Sequence, residues 1–285
     1  MYPLNMRKKL TLVPIGGLAN RLYAITSAIA FCEDHDIDLR VVWFKDWGMG
    51  ADFHALFELA GSYPHVEIVD ATWKDYVYDR PRKRNLWWPS LYQRVIFGRC
   101  VYESQVIKGY SSDDLEKDFQ SNDRIYLVHY CLFYTCNPAH LLVLSAEMLR
   151  EVEQRKKEFQ LDDHVIGVHI RRTDNSGSIK HSPLSLFVEK IQQETSLDPL
   201  ARFYVASDDL AEKQKLKELF GDRIITSWEE VRRDTLQGIK DAVVELYTLA
   251  STKKIYGSAS STYSMLAALL GHIELEILQN SLEKR

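Results

Sequence analysis

Between residues 164 and 271, strand-length apolar runs alternate with runs of helical period, and this alternation limits the possible folds more than any other feature. "HVIGVHI", "RFYVASDD", "RIITS" and "KIYGSAS" read as strands. "SPLSLFVEKIQQE", "LAEKQKLKELFG", "TLQGIKDAVVELYTLAS" and "STYSMLAALLG" read as the helices that follow them. Strands separated by helices cannot join as hairpins, so the pattern predicts a parallel sheet with helices on its faces. Ser182 is expected to cap the first of these helices, with Pro183 in its first turn, and Gly221 to end the second.

The first half opens in the same way. "KLTLVPI" reads as a strand, "GGLANRLYAITSAIAFCEDHD" as a glycine-opened helix and "LRVVWF" as a second strand. From about residue 46 to 120 the pattern is irregular and aromatic, and "RIYLVHY" (124–130) is a further strand. "PAHLLVLSAEMLREVEQRKKEFQL" reads as one long helix bridging the two halves. Two doubly wound α/β domains follow, residues 1–150 and 151–285. A ligand is expected in the cleft between them, at the carboxyl ends of the strands.

A net charge of −4 argues against nucleic acid as a partner held by a global basic field. No window approaches the ~18 consecutive apolar residues of a transmembrane helix, and the first residues lack the apolar core of a signal peptide. The four cysteines, Cys32, Cys100, Cys131 and Cys136, have neither zinc nor redox spacing, so reduced thiols and a cytoplasmic location are expected. No metal cluster is visible.

Polar residues gather where strands end. Gly16, Gly17 and Asn20 fall in the first strand-to-helix turn, where glycine lets a backbone approach a ligand and helix N–H groups favour anionic oxygen. A tight turn needs glycine in any case. "VHIRRTD" ends a strand with His169 and Arg171 on one face and Arg172 on the other. Arginine's planar fork suits a diphosphate; the alternative is a pair of solvated arginines bridged to Asp174 or Asp162. Asp208 and Asp209 end the next strand, where one can orient an arginine and one can cap a helix. Ser258, Ser260, Ser261 and Thr262 put hydroxyls at the start of an alanine-rich helix, in the manner of a phosphate cradle. Asp241 and Glu245, at i and i+4, share the edge of an apolar stripe. A carboxylate there can pair with the N1 and N2 donors of guanine or be simply solvated. Together these residues describe a nucleoside-diphosphate site.

Four of these peptides, in order, resemble those of the α1,6-/α1,2- and protein O-fucosyltransferase superfamily: "GGLANRL", "VHIRRTD", "FYVASDD" and "VVELYTLASTKKIYGSASSTYSMLA". The resemblance implies a GT-B-like α/β fold, two Rossmann-like doubly wound domains facing a cleft. The amino-terminal domain would take the acceptor and the carboxyl-terminal one the nucleotide sugar. It implies GDP-fucose as donor substrate, no cofactor, metal-independent transfer with inversion, and a glycan or polysaccharide precursor as acceptor. By position, Arg171 matches the arginine on the donor's β-phosphate and His169 the histidine beside the nucleoside. Ser260, Ser261 and Thr262 match the phosphate-binding hydroxyls, and Asn20 the asparagine near the glycosidic oxygen. The guanine-reading aspartate aligns with Glu245 rather than Asp241. A glutamate that acts as base in α1,6-type relatives has no counterpart in "NSGSIKHSP", where His181 is the titratable candidate.

In "DRPRKRNLWWPSLYQR" (79–94) basic residues alternate with aromatic ones. Trp87 and Trp88 suit stacking on acceptor sugars, though such a stretch is also compatible with single-stranded nucleic acid or a plain exposed loop. Two other readings keep the same residues: another nucleoside-diphosphate sugar as donor, or a binder of nucleotide or carbohydrate without turnover.

Overall fold

The computed structural model describes residues 7–77, 79, 87–173, 175–229 and 232–280, with the backbone alone at 77 and 87–89. Two compact units emerge, one of Met1–Ser145 with Arg233–Leu236, the other of Ala146–Arg232 with Gln237–Arg285. The division falls between Ser145 and Ala146, where a helix begins.

The first unit runs β1 (Lys9–Pro14), α1 (Leu18–Asp34), β2 (Asp38–Trp43), β3 (Phe57–Leu59), β4 (Val66–Asp70), α2 (Trp87–Ile96), β5 (Arg99–Val101), α3 (Glu103–Val106), α4 (Ser112–Ser121), β6 (Arg124–His129) and β7 (Leu142–Leu144). A five-stranded sheet has the order β4-β2-β1-β6-β5, with every pairing parallel. Val13, Ile15, Val42, Phe44, Tyr126 and Val128 form one of its buried clusters. The expected long helix from Pro138 does not form. Pro138–His140 is a single 3-10 turn, and Leu142–Leu144 pairs antiparallel with Phe57–Leu59. The apolar run that suggested helix also suits a strand, and a partner strand distant in sequence decided between them.

Residues 233–236 belong to the first unit because the backbone closes on Gly50. Gly50 N donates to Arg233 O at 2.8 Å, and a Cβ at Gly50 would lie 2.3 Å from the carbonyl carbon of Asp234. Only glycine permits that approach.

The second unit runs α5 (Ala146–Glu158), β8 (Val165–Ile170), α6 (Ser176–His181), α7 (Leu184–Leu197), β9 (Arg202–Ser207), α8 (Leu210–Phe220), β10 (Ile224–Ile225), α9 (Leu236–Ala250), β11 (Lys254–Ser258), α10 (Thr262–Gly271) and β12 (Glu274–Leu278). Its sheet order is β10-β9-β8-β11-β12, again all parallel. All six residues of β8, the central strand, are buried, as expected where helices cover both faces. Ser182 does not cap α7. It ends α6 instead, and its buried hydroxyl donates to Leu278 O and accepts from Ala259 N, while Pro183 takes the cap position.

Candidate functional site

In the second unit β8 ends at Ile170, and the two arginines that follow diverge. Arg171 Nη1 donates to Asp208 Oδ2 at 2.5 Å, and Arg172 Nε donates to Glu212 Oε1 at 2.8 Å. Asp208 also accepts from Arg172 N at 2.7 Å and from Thr173 Oγ1 at 2.5 Å. Its neighbour Asp209 caps α8 through Ala211 N, so the two adjacent carboxylates divide the roles foreseen for them. The Arg172–Glu212 pair is nearly closed to solvent, whereas Arg171 is about one-fifth exposed. Asp162, expected as a partner, pairs with Arg202 instead, and Asp174 lies outside the described residues.

His169 sits one position before the end of β8, buried, with its ring stacked on Tyr263 at 5.0 Å and its Nδ1 without a partner among the described residues. Burial pushes its pKa down to about 4, with Asp208 opposing the shift and Arg171 adding to it. The ring is therefore neutral at pH 7. Tyr263 Oη donates to Ala242 O at 2.6 Å, so this one side chain links α10 to α9 while its ring supports His169. Glu245 and Asp241, also on α9, line a small cavity of about 30 Å³ with Lys213, Arg155 and Glu229. Lys213 Nζ lies 3.6 Å from Glu245 and donates to Ser227 O at 3.0 Å. Burial raises the Glu245 pKa, and Lys213 counters it. Asp241 accepts from Gln237 within its own helix.

The serine segment separates into two groups. Ser258 is fully buried, its hydroxyl accepting from Arg171 N and donating to His169 O, so it ties β11 to the end of β8. Ser261 is buried and takes the cap position of α10 without a side-chain cap bond. Ser260 and Thr262 are exposed, and Ser260 holds a left-handed φ of +57°, a conformation of the kind that gathers at ligand sites. Asn175 Nδ2 donates to Ser260 O, and Ser178 Oγ donates to Ala259 O, so the short helix α6 braces this turn. His181 ends α6, where its carbonyl accepts from Asn280 N. The unit thus lines up a carboxylate, an imidazole on a phenol ring, an arginine and a hydroxyl-bearing helix start. An arginine and a hydroxyl-bearing helix start can hold phosphate oxygens.

In the first unit Gly16 adopts φ +94°, and a Cβ there would meet Asn20 Cβ at 2.9 Å. Gly17 takes the cap position of α1 and, lacking a side chain, offers the first N–H groups of the helix no cap acceptor. Arg21 secures this turn. It is fully buried, donates to Gly16 O, Phe44 O and Asp46 Oδ2, and stacks on Trp43. Arg80, Arg82, Lys83 and Arg84 lie outside the described residues, as do the side chains of Trp87 and Trp88.

Sequence reasoning missed Arg21, Tyr263, Glu212 and Lys213. Arg21 and Tyr263 stood inside recognised peptides, but Glu212 and Lys213 lie in a helix whose charges read as solvated. The cysteines are free, and burial raises the pKa of all four, which leaves no activated thiolate among them. Among the described residues no group of three metal-ligating side chains occurs, and no helix is long and apolar enough to cross a membrane.

No model of a known protein family matches the chain, and no curated protein sequence does so either. Solved structures do. The NodZ α1,6-fucosyltransferase from Bradyrhizobium, in crystals soaked with GDP-fucose, matches with a TM-score of 0.62 and 16% identity, over 93% of this chain and 92% of its own. Arabidopsis thaliana FUT1 in complex with GDP gives 0.64 and 14%, over 99% and 73%. POFUT1 in complex with GDP gives 0.57 and 13%, over 95% and 99%. The chain therefore has the GT-B-like fold of these fucosyltransferases, as the sequence resemblance implied.

Proposed function

We propose that this protein is an inverting glycosyltransferase that moves L-fucose from GDP-fucose to a glycan or polysaccharide-precursor hydroxyl. The observation that carries the reading is Arg171 held by Asp208 at the end of β8, beside His169 and the Ser260 turn. It occurs in a fold shared with proteins crystallised with GDP or GDP-fucose.

In this reading Glu245 accepts from guanine, Tyr263 and His169 flank the nucleoside, and Ser260, Thr262 and the N–H groups that open α10 take phosphate oxygens. Arg171 meets the β-phosphate. The bond from fucose C1 to the diphosphate oxygen breaks, and GDP leaves with the electron pair. The acceptor oxygen attacks C1 from the opposite face and loses its proton. Arg171, already oriented, neutralises the charge that grows on GDP, so little reorganisation is needed in the transition state. Asn20 and the Gly16–Gly17 turn are assigned to the acceptor side, and His181 is the candidate base. An oxocarbenium-like transition state lowers the demand on that base, because the acceptor proton can leave late.

Calorimetry with GDP, GDP-fucose and UDP, followed by an acceptor array with labelled GDP-fucose, tests the reading. GDP bound more weakly than UDP, or no transfer to any acceptor with GDP-fucose bound, would overturn it.

A further inference from the structure

The first unit contains a cavity of about 550 Å³, the size of a small-ligand site. Among the described residues four cations line it, Lys9, Arg40, Lys74 and Arg124, against one carboxylate, Asp75. Trp73 and Tyr92 stand at its sides, and Trp73 is 75% exposed. The floor is one face of the sheet. Lys9 is in register with Arg124, and Thr11 with Arg40, so these side chains emerge together from three neighbouring strands. A central strand of a doubly wound sheet ordinarily carries apolar side chains on both faces, whereas β1 offers lysine and threonine here. Arg40 shares Glu67 and Asp75, but among the described residues neither Lys9 nor Arg124 belongs to an ion pair.

This cavity lies at the amino half of β1, β2 and β6, whereas the Gly16–Gly17 turn lies beyond the carboxyl end of β1. At about 3.3 Å per residue, Thr11 and Gly16 are separated by roughly 17 Å. The cavity is therefore distinct from that turn. Helix α1 reaches this edge by its carboxyl end, at Asp34 before β2, and so brings no positive charge to it. The side-chain cations must supply it. Their surplus selects an anion, and exposed indole and phenol rings beside a polar floor suit the C–H face of a sugar.

We propose that this cavity binds a saccharide bearing a negatively charged group, independently of the donor site. The test is calorimetry on the whole protein with glucose 6-phosphate, glucuronate, glucose and inorganic phosphate, with Trp73 fluorescence as a second readout. At least one charged sugar should bind tenfold or more tightly than both glucose and phosphate. Lys74→Glu and Arg124→Glu should each weaken that binding at least tenfold and leave GDP affinity unchanged. Should either fail to fold, Trp73→Ala, at an exposed indole, should show the same loss. The proposal fails if glucose or phosphate alone binds as tightly as the charged sugars, if the variants bind unchanged, or if GDP displaces the sugar.

Discussion

One carboxylate fixes both arginines of the "IRRT" turn: Asp208 Oδ2 takes the guanidinium of Arg171, and Asp208 Oδ1 takes the backbone N–H of Arg172. The side chain that the fucosyl reading aims at the diphosphate is thus aimed by the carboxylate that follows β9. Asp208→Asn keeps the shape and removes the charge. Turnover should fall about 10–100-fold through misplacement of Arg171. GDP affinity should change far less, a split between kcat and KM that steady-state kinetics can read. Arg171→Ala should cost more, about 10²–10³ in kcat, as for loss of one preorganised charge donor.

Arg172 has a different duty. Its pair with Glu212 is almost sealed from solvent, and the second oxygen of Glu212 is buried with no partner among the described residues. Arg172→Ala would strand that carboxylate, so a loss of about 3–5 kcal/mol is expected in urea unfolding. Removing both partners should cost less than the sum of the single variants, because the stranded charge is then absent.

The inner strands of both sheets were legible in the sequence, because apolar strand runs and helical stripes alternate and β8 is buried throughout. The peptides at the strand ends were legible as well, since glycine, arginine and serine there stand out against apolar neighbours. The partners were not. Glu212 and Lys213 lie on α8, where charges at helical spacing look solvated, yet the fold buries Lys213 against Glu245. Strand β12 was missed because charged residues alternate along it, as an edge strand allows, and β7 because its partner lies about 85 residues earlier. Ser258 looked like its neighbours in composition, and only the packing of β11 on β8 shows that its hydroxyl is already engaged.

Acid should destabilise the protein before its carboxylates titrate. Burial holds His169 and His129 to pKa values of about 4, against 6.5 for the exposed ring. Above pH 6.5 both rings are neutral in the folded and unfolded chains, and the burial is without penalty. As pH falls from 6.5 towards 4, the unfolded chain takes up protons that the folded one refuses. Each ring then withdraws up to about 3 kcal/mol, because every tenfold loss of proton affinity is worth ~1.4 kcal/mol. Melting temperatures measured between pH 7 and 4 should fall steeply for the parent. His169→Gln should flatten that slope, and an unchanged slope would place the acid sensitivity elsewhere.

Glu245 should set the base preference. Its partly desolvated carboxylate accepts well from N–H groups, and a hydrogen bond to a charged group contributes about 1.5–3 kcal/mol. Glu245→Ala should therefore reduce the preference for GDP over UDP by about 10–100-fold, and Glu245→Asp should keep most of it. Equal weakening of both nucleotides in calorimetry would mean that Glu245 only positions Lys213.

The Gly16 turn should be the least tolerant point of the first unit. A side chain at φ +94° is strained by about 1–2 kcal/mol, and its Cβ would press on Asn20, so Gly16→Ala must lose stability and displace Asn20 together. Gly17 is the internal control: its φ is −73° and an added Cβ would meet nothing within 4 Å. If the turn serves the acceptor side, Gly16→Ala should lower transfer to the acceptor more than it weakens GDP binding in calorimetry. Gly17→Ala should leave stability nearly unchanged. A loss of transfer there would then report a substrate approaching the backbone, which a methyl group obstructs even though the folded protein has room for it.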